Sequence, residues 1–124
     1  MYKIILGFIT LFASPVFALS NAEVRNAIQS YINTQEFPQQ IDAVTTLVEI
    51  ETTARGIAYI YQLSMSADQT PVATFKAVKT NAITNLCTNA AMTWYKSNDV
   101  EMIYYYLDNE EELISLYKIS SSDC

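Results

Sequence analysis

The chain has no histidine among its 124 residues. That absence removes the commonest general base, the usual partner of a nucleophilic serine or cysteine, and the commonest nitrogen ligand for zinc. Standard hydrolase and metalloenzyme chemistry loses its central group. Glycine occurs only at Gly7 and Gly56, so no glycine-rich phosphate loop can be built. Cations are scarce too: seven Lys and Arg stand against 13 Asp and Glu, a net charge of −6. Binding to nucleic acid or an anionic membrane relies on Lys and Arg displacing counterions from phosphates, so neither is an expected partner, whereas a basic protein is. Cysteine is limited to Cys87 and Cys124, without a Cys-x-x-Cys motif, which argues against redox chemistry. No metal and no cofactor is expected.

Long apolar runs are confined to the N-terminus. Met1, Tyr2 and Lys3 precede an apolar stretch from Ile4 to Ala13, followed by Pro15 and Val16-Phe17-Ala18. A short positive start, a run of roughly ten apolar residues and a small residue at the cut mark a secretory signal peptide, with cleavage expected after Ala18. No other segment approaches the roughly 20 apolar residues of a membrane span, so no stable membrane insertion is expected after cleavage. No cysteine lies at the cleavage site to carry a lipid. Residues 19–124 suit one domain, periplasmic or secreted, and one charge more negative once Lys3 is removed. Export places the two cysteines where disulfides form and persist. They permit one intramolecular bridge, Cys87–Cys124, with an intermolecular bridge through Cys124 as the alternative. In the chain-entropy model the intramolecular loop adds about 3–4 kcal/mol.

The local signals run in the order α-β-β-α-β-β. Ser20 and Glu23 have the spacing of a capping box, and Val24, Ala27, Ile28, Tyr31 and Ile32 recur at helical spacing up to a break at Pro38. From Asp42 the pattern alternates: Val44, Thr46, Val48 and Ile50 share one face, Thr45, Leu47, Glu49 and Glu51 the other. Thr53 to Gly56 read as a turn in which glycine supplies positive φ, and Ile57, Tyr59, Tyr61 and Leu63 line one face of a second strand. Thr70 and Pro71 open a central helix whose apolar side carries Val72, Phe75, Val78, Ala82, Ile83, Leu86, Cys87 and Ala90. Asn89 is placed to cap a short turn with Met92, Trp94 and Tyr95. A final hairpin joins Val100–Leu107 to Leu113–Ile119 across Asp108 and Asn109. Isolated hairpins are marginal in water, so both are expected in one antiparallel sheet with helices packed on one face, a single α+β domain.

Carboxylate catalysis needs no histidine, since a glycosidase uses two acids across one bond. Glu49, Glu51, Glu101 and Asp108 are the candidates, although acids at such strand and turn positions are ordinarily just solvated. Glu110, Glu111 and Glu112 crowd the tip of the last hairpin. Their spacing fits no calcium loop, and they suit a basic partner or a solvated turn. The nine tyrosines are the strongest positive signal. Side chains alternate along a strand, so Tyr104 and Tyr106 point one way and Tyr105 the other. Tyrosine pairs apolar area with a polar tip, which favours binding surfaces. Tyr59, Tyr61, Tyr104 and Tyr106, with the acidic tip Glu110 to Glu112, are therefore the candidate partner-binding residues.

The export signal, the element order, Leu86-Cys87 in the central helix, the Tyr104-Tyr105-Tyr106 strand, the charged turn and the closing Asp123-Cys124 together resemble the beta-class pilotins of type II secretion systems. The resemblance implies a small disulfide-bonded α+β protein that binds a helical tail of an outer-membrane secretin. Those pilotins are lipoproteins, and this chain departs from them in having no lipid-accepting cysteine. The expectation is thus an exported, non-catalytic, pilotin-like or adaptor-like protein-binding module, with a helical segment of an envelope assembly as its partner. One alternative is a periplasmic inhibitor or immunity protein against a basic toxin. Another is a carboxylate-dependent cell-wall or glycoside hydrolase.

Overall fold

Ser20 begins the first helix as its spacing predicts. A computed structural model describes residues 19–124, and the signal-peptide expectation for residues 1–18 lies outside the described residues. The Ser20 N–H donates to Glu23 Oε1 at 2.9 Å and the Glu23 N–H to Ser20 Oγ at 3.2 Å, closing the capping box of α1 (Asn21–Ile32). The helix stops at Ile32, before Pro38 is reached. Asn33 donates its N–H to the Gln29 carbonyl, and the Thr34 hydroxyl donates to the Tyr31 carbonyl at 2.6 Å, so polar groups satisfy the free carbonyls of the last turn.

The short strand β1 (Gln39–Gln40) leads through a bend to β2 (Thr45–Thr53), which pairs antiparallel with β3 (Gly56–Leu63). The simple alternation expected along β2 does not hold. A register shift between Leu47 and Glu49 inserts a bulge at Val48, and a bulge exchanges the faces on either side of it. Leu47 and Ile50 are therefore both buried under the helices, and Glu49 and Glu51 stay together on the opposite face.

Gly56 has a different role from the one its turn position suggests. It opens β3 and has no positive φ. A Cβ there would lie 2.0 Å from the Glu101 carbonyl oxygen, so the glycine is required by a close approach of two backbones.

After β3, a 3-10 turn at Ala67–Gln69 precedes α2 (Val72–Thr88). Pro71, not Thr70, holds the capping position, and its carbonyl accepts from the Thr74 N–H. Asn89 Oδ1 accepts the Ala91 N–H and starts a second 3-10 turn, Ala90–Met92, that runs into α3 (Thr93–Ser97). The chain then returns as β4 (Glu101–Leu107) and β5 (Leu113–Ile119) and ends in a 3-10 turn, Ser121–Asp123.

The sheet order is β1-β2-β3-β4-β5. The two hairpins join through β3 and β4, and that pair is parallel, which corrects the expectation of a wholly antiparallel sheet. The reason lies in the connection. A helix crossing the sheet between two neighbouring strands brings the chain back to its starting end, and the following strand must run parallel. The α+β class, the element order and the helices on one face stand as expected. Cys87 and Cys124 are bonded to each other with Cα atoms 5.5 Å apart, joining the end of α2 to the chain terminus after β5, and neither is left for an intermolecular bridge.

The core gathers Val24 and Ile28 from α1, Leu47 and Ile50 from β2, Ile57 and Leu63 from β3, Leu86 from α2, and Val100, Met102, Tyr106, Tyr117 and Ile119. Among the described residues no helix is long and apolar enough to cross a membrane.

Candidate functional site: a tyrosine-floored trough

The register of the central strands builds the site. Tyr59 lies opposite Tyr104, Tyr61 opposite Tyr106, and Tyr104 opposite Tyr117, all on the helix side of the sheet. Because side chains on one face repeat every second residue, the rings form a continuous stack across three strands. Centroids are 5.0 Å apart for Tyr59 and Tyr104, 5.0 Å for Tyr61 and Tyr106, and 4.7 Å for Tyr104 and Tyr117, with interplanar angles of 23°, 14° and 14°. Phe75 of α2 leans on Tyr106 at 5.3 Å.

The two long helices cover this stack only in part. α1 packs on β2 and β3, α2 on β5, and they make no substantial contact with each other. At one end the cover is complete: Val24, Leu86, Ile57, Met102 and Ile119 are at most 1 % exposed. Towards the start of α2 it thins. Leu86 is the one fully buried residue of that helix, and Phe75, Val78, Ala82 and Ile83 are only partly buried. Tyr59, Tyr61 and Tyr104, central in a five-stranded sheet, also stay partly exposed. We read this partly covered tyrosine floor, with α1 on one side and α2 on the other, as a shallow trough.

Its two ends differ. An apolar hollow of about 240 Å³ lined by Ala27, Ile28, Tyr31, Trp94 and Tyr95 lies beside Tyr59. At the other end, beyond Tyr106, stands the hairpin tip. Asp108 Oδ1 accepts the Glu110 N–H at 2.8 Å and the Glu112 N–H at 2.9 Å, and Glu111 sits at φ 67. The Asn109 N–H bonds to the Met65 carbonyl at 3.1 Å, tying the tip to the end of β3. Glu110, Glu111 and Glu112 are all exposed, so they present charge to solvent beside the tyrosine rows.

Burial pushes the phenol pKa values of Tyr59, Tyr61, Tyr104, Tyr106 and Tyr117 up, with the neighbouring rings reinforcing the effect at Tyr59, Tyr61, Tyr104 and Tyr117. All five are neutral at physiological pH. The Tyr117 hydroxyl is shielded from solvent and has no hydrogen-bond partner among the described residues. A neutral aromatic floor recognises apolar side chains and offers hydroxyls to polar ones.

The four candidate acids fall in separate places, Glu49 and Glu51 side by side on β2 and Glu101 and Asp108 apart from them and from each other. Glu101 is ion-paired to Lys118 at 3.8 Å, and Asp108 serves its own turn. Glu101 opens β4 and Asp108 follows its last residue, roughly 23 Å away at about 3.3 Å per residue, whereas glycosidic acids lie about 5–10 Å apart. Glu49 and Glu51 project from the same face of β2, where the Glu49 carboxylate holds the Glu51 carboxyl above its ordinary pKa. Among the described residues no group of three or more acids or cysteines is placed to hold a metal ion.

The four tyrosines named from the sequence are thus brought together, and the acidic tip lies at one end of their rows. Tyr105 faces the other way, with Ile60 and Leu107. Tyr117 and Phe75 complete the stack and were not singled out. Their part depends on the β4–β5 register and on the placement of α2, which only the assembled sheet reveals.

No family model matches the chain, and no curated protein is similar to it in sequence. Solved structures are similar in fold. A candidate secreted protein from Pseudomonas aeruginosa superposes with a TM-score of 0.70 at 10% identity, covering 86% of this chain and 97% of that one. The type 2 secretion system pilotin EpsS of Vibrio vulnificus gives 0.64 at 8% identity, with 84% and 90% covered. The type II secretion system pilotin AspS of Vibrio cholerae gives 0.62 at 8% identity, with 84% and 94% covered. This chain has the fold of these small secretion-related proteins.

Proposed function

We propose that the chain is an exported, non-catalytic protein-binding module, released by cleavage after Ala18, that receives a helical segment of an envelope-assembly partner in the tyrosine-floored trough. The observation that carries this reading is the incomplete cover over Tyr59, Tyr61 and Tyr104. Rings at the centre of a sheet are normally sealed by the helices above them, and here α1 and α2 make no substantial contact, with Tyr31 and Tyr95 standing beside Tyr59 at one end. An amphipathic helix laid between α1 and α2 would bury its apolar stripe on the rings, a recurring mode of peptide recognition. Glu110, Glu111 and Glu112 at the open end would steer basic residues of the incoming segment, a contribution to association rate that salt screens. The pilotin folds support a secretion-associated partner, and a secretin tail is the segment the resemblance implies.

The test is affinity purification of tagged residues 19–124 from the native envelope fraction, beside a Tyr61→Ala/Tyr104→Ala variant and a Leu116→Ala control. Leu116 lies on the far face of the sheet and is 44% exposed. The proposal expects an assembly component to co-purify with the parent and the control and to be lost from the tyrosine variant, with thermal unfolding showing that the variant folds. A basic toxin in place of that component would favour the inhibitor reading, which the exposed acidic tip also suits. Equal capture by all three proteins would remove the trough from the function.

A further inference from the structure

The outer edge of β2 is only half paired. β1 covers it at Thr46 and Leu47 only, and Pro38, which has no N–H to donate, precedes β1. The direction of the remaining backbone groups follows from β3. Glu101 donates its N–H to the Arg55 carbonyl at 3.2 Å, so along the evenly spaced parallel ladder Ile57, Tyr59 and Tyr61 turn their N–H and C=O groups towards β4. Gly56, Ala58 and Ile60 serve β2, where they face Thr53, Glu51 and Glu49. Ile50 and Thr52 are left with N–H and C=O directed outward, and among the described residues no hydrogen bond reaches them from that side.

A groove of about 510 Å³ runs beside this edge, walled by Gln29, Ile32 and Phe37 on one side and by Glu49 to Thr52 on the other. It lies across α1 from the tyrosine trough. Glu49 and Glu51 stand together along it, and the Glu49 carboxylate holds the Glu51 carboxyl above its ordinary pKa. Among the described residues the single ion pair joins Lys118 to Glu101, so no cation answers these two acids. An open row of backbone donors and acceptors, an apolar wall and a pair of like charges together define what would fit.

We propose that the free edge of β2 takes an extended segment of a partner protein by strand addition, with alternate side chains placing apolar groups against Ile32 and Phe37 and Lys or Arg beside Glu49 and Glu51. Main-chain bonds to Ile50 and Thr52 supply the affinity and the alternating side chains the selectivity. A second copy of this chain is disfavoured as the occupant, because it would set its own Glu49 and Glu51 against these acids.

The probe is a short peptide alternating valine and lysine, compared with one alternating valine and glutamate, both added to isotope-labelled residues 19–124. In the free protein the Ile50 and Thr52 amides are expected to exchange with solvent at least about ten-fold faster than those of Ile57 and Tyr59, which lie inside the ladder. Saturation with the lysine peptide should slow Ile50 and Thr52 by about ten-fold or more, while the glutamate peptide binds at least about ten-fold more weakly. The Glu49→Gln/Glu51→Gln variant should remove that preference and keep the fold. Absence of protection at Ile50 and Thr52, or equal binding of both peptides, would overturn the proposal. Protection that appears without peptide and grows with protein concentration would also overturn it, by assigning the edge to a second copy.

Discussion

Replacing Gly56 by alanine tests the close approach that holds the two halves of the sheet together. The added Cβ would lie 2.0 Å from Glu101 O and 2.9 Å from its carbonyl carbon. Both atoms are backbone, so no side chain can swing aside, and the strands must part by more than ~1 Å in a region packed at interior density. The Glu101 N–H to Arg55 carbonyl bond spans the same place and would lengthen. Overpacking of this kind costs about 1–3 kcal/mol and a weakened hydrogen bond about 1 kcal/mol. Alanine stiffens the unfolded chain, which offsets about 0.4–1 kcal/mol. The net loss is about 2–3 kcal/mol, a fall of roughly 1–2 M in the urea midpoint at the slope of a small domain. Near-ultraviolet circular dichroism should also weaken, since β3 and β4 carry the stacked Tyr59, Tyr61, Tyr104 and Tyr106 rings. A midpoint within about 0.3 M of the parent, with an unchanged slope, would refute the contact as the reason for glycine.

Cys124→Ser should lower the melting temperature by roughly 10–20 °C, because opening the loop between Cys87 and Cys124 forfeits about 4 kcal/mol of chain-entropy stabilisation; an unchanged melting curve would mean that the bridge is dispensable. Denatured without reductant, the oxidised protein should show no free thiol. Stability should fall as pH rises above about 10, the ordinary tyrosine range. The buried phenols hold their protons above that range, so their contribution is fully present below it and is lost as the unfolded chain ionises first. Equal urea midpoints at pH 9 and pH 11 would contradict the burial of the rings. Asp108→Ala should cost about 1–2 kcal/mol, since the Glu110 and Glu112 N–H groups lose a charged acceptor, with increased mobility of the tip visible in amide exchange.

Signals of short range were readable residue by residue. The Ser20–Glu23 box, the Asn89 cap and the two hairpins each depend on neighbours within a few positions, and each stands where its spacing places it. Two cysteines left one intramolecular pairing. What escaped depends on contacts between distant segments. Nothing local distinguishes a parallel from an antiparallel β3–β4 pair, and the parallel register is what aligns Tyr59 with Tyr104 and Tyr61 with Tyr106. The bulge at Val48 carries no composition signal, yet it moves Leu47 into the core and Glu49 out of it. β1 is two glutamines long and has no period to read. For the site, the tyrosines were legible as a group and their face was not. Their partial exposure comes with α1 and α2 making no substantial contact with each other, an arrangement that no spacing within either helix encodes.

The most direct measurement of partner binding in the trough is site-specific photo-crosslinking in the native host, with a benzophenone amino acid replacing Tyr61 in one strain and Leu116 in another. Tyr61 lies on the trough floor and Leu116 on the opposite face of the sheet. Binding in the trough predicts one dominant adduct from position 61, mapped by mass spectrometry to a helical segment of a single exported or envelope protein, and none from position 116. Adducts from position 116 alone, or no adduct from position 61 in a protein shown to be folded and oxidised, would contradict it.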